Sequence, residues 1–117
     1  MRLMGWLDTN SPIQRRIIMG CFKAEPDDLS IVKLKGMFGY RSAYELVNRH
    51  EPLATFPTVL NSNNMQLGVC HDYMFVSSAV KQIISADVCC HHPSEQDATL
   101  YPSDHVGLTA WIDLGDA

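Results

Sequence analysis

Positive charge is scarce in this chain of 117 residues: nine Lys and Arg stand against thirteen Asp and Glu, a formal net charge of −4. That argues against a nucleic-acid binder working through a broad basic surface, which needs a surplus of cations to displace counterions from phosphate. A nuclease stays open, because a carboxylate-lined site is locally acidic and its divalent ion supplies the attraction for phosphate. Long apolar runs are missing too. None approaches the roughly 18 residues of a membrane span. The opening stretch, Met1-Arg2-Leu3-Met4-Gly5-Trp6-Leu7-Asp8, lacks the apolar centre of a secretory signal and is too short to argue for a mitochondrial presequence. The expected compartment is the cytoplasm, with the mitochondrion left open, and no membrane partner is expected. Repeats and low-complexity tracts are also absent.

Metal-ligand spacing is the third absence. Cys89-Cys90-His91-His92 puts four ligand-type residues in a row. Zinc sites instead separate their ligands by two or more residues, so that side chains converge from a turn. Consecutive residues point alternately and cannot close a tetrahedron by themselves. Cys89 and Cys90 therefore read as the end of a half-buried strand, and the two His as the start of a polar loop. Cys21 and Cys70 are flanked by apolar strand residues and read as small buried hydrophobes. Nothing calls for an oxidising compartment.

What is present is ordinary for a globular fold: 46% hydrophobic and 19% charged residues, in a length that can bury a core if the core is its own. Asn10-Ser11-Pro12 is a turn signal, followed by a strand at Arg16–Gly20. Glu25-Pro26-Asp27-Asp28 turns into a helix over Leu29–Lys35, with Leu29, Ile31, Val32 and Leu34 as its short apolar face. Ser42 caps a second short helix through Asn48, with Glu45 at the capping-box spacing. Pro52 and Pro57 hold an irregular or edge segment around Ala54–Thr58, and Asn61-Ser62-Asn63-Asn64 is a loop. The second half reads as sheet, with strands over Val69–Ser77, within Ala79–Cys90 and over Val106–Leu114. His71-Asp72 breaks the first of these with a polar pair, as a site does.

Three segments in order carry the chemistry. Arg16-Ile17-Ile18-Met19-Gly20-Cys21-Phe22-Lys23-Ala24-Glu25-Pro26 comes first, then His71-Asp72-Tyr73-Met74-Phe75-Val76, then Tyr101-Pro102-Ser103-Asp104-His105 running into Val106–Leu114. Together they resemble the last three motifs of the endonuclease/exonuclease/phosphatase superfamily: Gly-Asp-Phe-Asn-x-x-Pro after a strand, a strand beginning Asp-Tyr-Ile-Phe, and Ser-Asp-His. Within it, the chain is most similar to the branch of nocturnin and the carbon-catabolite-repression deadenylases. Ser42-Ala43-Tyr44, Glu51-Pro52 and Thr55-Phe56 add to that likeness. The resemblance covers Arg16 to Leu114 and corresponds to the C-terminal half of a domain about twice this length. Residues 1–15 are then an N-terminal segment and residues 16–117 the C-terminal half of a four-layer α/β/β/α sandwich.

The resemblance implies metal-dependent hydrolysis of phosphoesters by in-line attack of water, with Mg2+ as cofactor and RNA or a nucleotide among the substrate classes. It implies that His105 faces the scissile phosphate, that Asp72 steadies its ring from a neighbouring strand within hydrogen-bond reach, and that Asp104 is the metal-side carboxylate. A carboxylate on one ring nitrogen fixes the tautomer of the other. Two positions depart from the pattern. Cys21 replaces the water-handling Asp, and a thiol is a poor ligand for a hard cation. Lys23 replaces the phosphate-contacting Asn and accepts no hydrogen bond. Losing one member of a concerted site costs orders of magnitude in rate. The family also draws a metal-binding Glu and an Asn from its N-terminal half. The expectation is a degenerate family member, inactive alone, acting as a structural or interaction subunit whose partner covers the exposed sheet. The alternative is a magnesium-dependent phosphodiesterase completed by a partner chain.

Overall fold

The computed structural model describes residues 2–10, 12–58 and 68–116, so the loop expected at Asn61–Asn64 and part of the turn at Asn10-Ser11-Pro12 lie outside the described residues. The elements run α1 (Arg2–Asn10), β1 (Ile17–Cys21), α2 (Leu29–Gly36), β2 (Arg41–Ser42), α3 (Ala43–Asn48), β3 (Asp72–Val76), β4 (Gln82–Cys89) and β5 (Gly107–Asp113). The chain is mixed α/β, with antiparallel sheets and few helices. One sheet has the order β1-β3-β2 and the other is the pair β4-β5.

Strand β3 sits at the centre of the first sheet because it carries the apolar residues. Tyr73 and Phe75 on one face are fully buried and join Met4, Ile31, Leu34, Tyr40 and Cys70 in the core, with Ile18 of β1 and Phe22 packed against them. Phe22 meets both rings edge-on, at centroid distances of 5.6 Å and 5.3 Å, the geometry the ring quadrupoles favour. The Tyr73 hydroxyl is shared between the carbonyls of Ala24 (2.7 Å) and Cys70 (3.0 Å), which removes the cost of burying it.

Both inner helices begin as their caps dictate. The Asp28 carboxylate accepts from the Ser30 amide at the head of α2 (2.9 Å), and the Ser42 hydroxyl accepts from the Glu45 amide at the head of α3 (3.3 Å). The second cap is not a reciprocal box. Glu45 turns instead to Lys35 (3.1 Å), and Ser42 donates to the buried Glu51 (2.5 Å), which also takes Lys35 (3.1 Å). Burial works against the Lys35 ammonium, but Glu51 and Glu45 outweigh it and hold its pKa above the usual value. Only Ile31 and Leu34 of α2 are buried; Val32 and Leu29 face outward, so the apolar face is narrower than the composition suggested.

Within the N-terminal segment, residues Arg2–Asn10 form a helix that the sequence pattern does not signal. Met4 is buried in the core and Leu7, one turn on, packs against it. The Arg16 guanidinium closes the C-terminal end by donating to the Leu7 carbonyl (3.1 Å).

The opposite face of the β1-β3 pair is less covered. Ile17, Met19 and Cys21 face the same way as their cross-strand partners Val76, Met74 and Asp72. Met19 is 63% exposed and Ile17 39%. On the second sheet Trp111 is 72% exposed and Ile84, at an irregularity in the β4-β5 register, is 54% exposed.

Candidate functional site

The site is assembled where β1 ends beside the start of β3. Phe22 donates its amide to the His71 carbonyl (2.7 Å). The next pair, Cys21 opposite Asp72, is therefore of the non-hydrogen-bonded kind, in which facing side chains approach most closely. Gly20 precedes Cys21 at φ +143°, a conformation side-chain-bearing residues rarely adopt, so glycine there is a backbone requirement. After Cys21 the strand breaks off, and Lys23 stands exposed in a left-handed conformation at φ 50°.

His105 arrives from the loop before β5. Its Nδ1 lies 2.8 Å from Asp72 Oδ2, with the imidazole about one-third exposed and the carboxylate mostly buried. The contact expected of Asp72 and His105 is thus made. It is not made between paired strands: β5 pairs with β4, and His105 lies two residues before it. The Phe56 ring covers the imidazole at a centroid distance of 4.7 Å.

Thr55 connects the two halves of the pair. It is completely buried. Its Oγ1 accepts the amides of His71 (3.0 Å) and Asp72 (3.2 Å), while its carbonyl accepts the amide of Val106 (2.9 Å). One residue therefore sets the start of β3 and the end of the His105 loop. The Thr58 amide adds a bond to the Asp104 carbonyl (2.9 Å), and the Ser103 hydroxyl accepts the His105 amide (3.1 Å). Sequence reasoning marked Thr55 and Phe56 only as part of the family likeness and gave neither a role. No periodicity signals them, since both lie in the irregular stretch between Pro52 and Pro57.

Cys21 completes the cluster. Its Sγ, an Asp72 carboxylate oxygen and a His105 ring nitrogen all lie within 4.8 Å of one another. The expectation that Cys21 is a small buried hydrophobe fails, because the residue is exposed. Alternation explains this: Ile18 faces the core, so Met19 and Cys21 cannot follow it to the same side. Cys70 does fit the expectation, with burial pushing its thiol up to about 12. Cys89 ends β4 half-buried, as read from the sequence, whereas Cys90 lies beyond the strand and is exposed.

Asp104 is exposed and stands outside the converging group. It lines a separate cavity of about 310 Å³ with Pro57, Thr58, Leu100, Tyr101 and Ser103. A second cavity, about 190 Å³, reaches Asp72 of the pair and is lined also by Met19, Gly20, Tyr73, Met74, Val106 and Leu108. The converging side chains do not fit magnesium, which demands an octahedron of oxygens at about 2.0–2.1 Å, whereas one corner here is sulfur.

Comparisons with protein-family models, with curated proteins and with solved structures give no match for this chain. Among the described residues, no helix is long and apolar enough to cross a membrane.

Proposed function

We propose that the chain is a degenerate phosphoesterase-like half-domain of the endonuclease/exonuclease/phosphatase type. In this reading it belongs to a four-layer α/β/β/α sandwich, does not hydrolyse phosphoesters alone, and serves as an interaction subunit. The observation that carries this reading is the Asp72–His105 pair at 2.8 Å with the Cys21 thiol beside it. An imidazole oriented by a carboxylate is suited to protonating or hydrogen-bonding a phosphoryl oxygen. The group that would position and activate water is replaced by a thiol, and the carboxylate read as a metal ligand, Asp104, points to another cavity.

The subunit role draws on the uncovered surface. Four exposed apolar side chains, Ile17, Met19, Ile84 and Trp111, lie on strands, where another chain can cover them. A partner chain that extends or covers these strands is the expected occupant. The alternative reading, a magnesium-dependent phosphodiesterase completed by a partner chain with RNA or a nucleotide as substrate, draws on the intact pair and the cavity beside it.

Turnover of a chromogenic phosphodiester and of oligoadenylate with magnesium tests the proposal. The expected result is no turnover above background, and none after Cys21→Asp with Lys23→Asn, since no metal-binding Glu is restored. Turnover by the unmodified chain that disappears on His105→Ala overturns it.

A further inference from the structure

The thiol that spoils the site for magnesium suits it to a different ion. We propose that Cys21, Asp72 and His105 form a binding site for Zn2+, with the fourth position open to solvent. The inference stands on these three side chains, whatever the ancestry of the fold. One sulfur, one carboxylate oxygen and one imidazole nitrogen within 4.8 Å are a set that zinc binds at about 2.3, 2.0–2.2 and 2.0–2.1 Å, which places ligand atoms about 3.4–3.6 Å apart around a tetrahedron. Closing to that spacing asks for about 1 Å of movement at the widest pair. Cys21 can supply it, because its side chain is exposed and ends a strand. A borderline-soft ion prefers this donor set and a hard one does not, so the site selects against magnesium and calcium.

The surroundings hold the other two ligands in place. Thr55 Oγ1 bonds the amide of Asp72, and the Phe56 ring covers the imidazole. Supports of this kind orient ligands before a metal arrives. Three protein ligands with an exposed fourth position is the coordination pattern of exchangeable and catalytic zinc rather than of closed structural zinc. On binding, the 2.8 Å contact between Asp72 and His105 opens by about 0.6 Å, and its proton and that of the Cys21 thiol pass to solvent, leaving carboxylate, neutral imidazole and thiolate as ligands.

The test uses the full chain under reductant, with Co2+ as a spectroscopic probe and Zn2+ as competitor. A thiolate-to-cobalt charge-transfer band should appear, should be displaced by Zn2+, and should resist a large excess of Mg2+. Cys21→Ser should abolish the band and weaken Zn2+ binding by more than about 100-fold, beyond what loss of a supporting group costs. A Cys89→Ser/Cys90→Ser variant should keep both. Zn2+ should also slow iodoacetamide alkylation of Cys21, followed by mass spectrometry, and His105→Ala should remove that protection. A band that survives Cys21→Ser, a band lost with Cys89 and Cys90, or alkylation indifferent to Zn2+ overturns the proposal.

Discussion

Replacing Thr55 by valine keeps the shape of the side chain and removes one oxygen, so it isolates what that oxygen does. In the wild type Oγ1 accepts from His71 at 3.0 Å and from Asp72 at 3.2 Å, in a residue with no exposure. Val leaves two amides without an acceptor. A stranded buried donor costs about 1–3 kcal/mol. His71 and Asp72 are themselves only half-buried, so the lower part of that range applies and the total is about 2–4 kcal/mol. That is a large share of the roughly 5–15 kcal/mol that holds a domain together. Thr55→Ser keeps the acceptor and loses one methyl, at about 1 kcal/mol. The comparison is made by urea unfolding at one protein concentration, so that any association is held fixed. Amide exchange at His71 and Asp72 supplies the local readout, and both should exchange faster in Thr55→Val alone. A Val variant within about 0.5 kcal/mol of wild type, a change of the size found at uninvolved surface positions, would refute the reasoning. So would a Val variant more stable than the Ser variant.

Three further outcomes are expected. Cys70 has its pKa raised from 9.0 to about 12; stability from this group is therefore complete below pH 9.0 and is lost as pH climbs from there toward about 12. The loss amounts to up to about 1.4 kcal/mol per pH unit, and urea unfolding at about pH 8 and pH 10 under reductant should show a decline that Cys70→Ala flattens. Glu51→Gln should destabilise by about 2 kcal/mol, because it weakens a buried acceptor that holds both Ser42 and Lys35. Glu45→Gln, at a 43%-exposed side chain, should cost less than about 1 kcal/mol in the same thermal melts. Asp72→Asn should change the tautomer or ring orientation of His105, read from its imidazole nitrogen shifts; unaltered shifts would mean that the 2.8 Å contact does not orient the ring.

Local signals were the most legible part of this fold. Asp28 and Ser42 are capping residues ahead of short apolar patterns, and α2 and α3 begin beside them. Strands β1, β4 and β5 lie within one or two residues, at most ends, of where their apolar runs suggest. β3 is shorter than its run, because Val69 bridges Phe56 and Cys70 turns to the core before Asp72. Helix α1 is hard to read from sequence because, among its described side chains, only Met4 and Leu7 mark the inner side, too few for a period to emerge. At the site, Asp72 and His105 were legible from motif order, and their contact is present. Cys21's exposure depends on which face of β1 meets the core, and Thr55's role depends on three segments distant in sequence. Neither is written in any local pattern. The separation of Asp104 from the pair is likewise a matter of loop path, which adjacency to His105 conceals.

Sedimentation velocity of the isolated chain, paired with thermal unfolding followed by far-UV and near-UV circular dichroism, bears most directly on the reading of this molecule as an incomplete sandwich. Met19 and Trp111 are exposed on strands, and several such residues each forgo about 1.5–3 kcal/mol when left in water, enough to rival the stability of a small domain. The predicted result is a dimer, a higher associate or a species that unfolds without a cooperative transition. Met19→Glu with Trp111→Glu should shift any associate toward smaller species. A monomer with a sharp, reversible transition seen equally by both signals would contradict it, and would mean that these residues close a sufficient core without any partner.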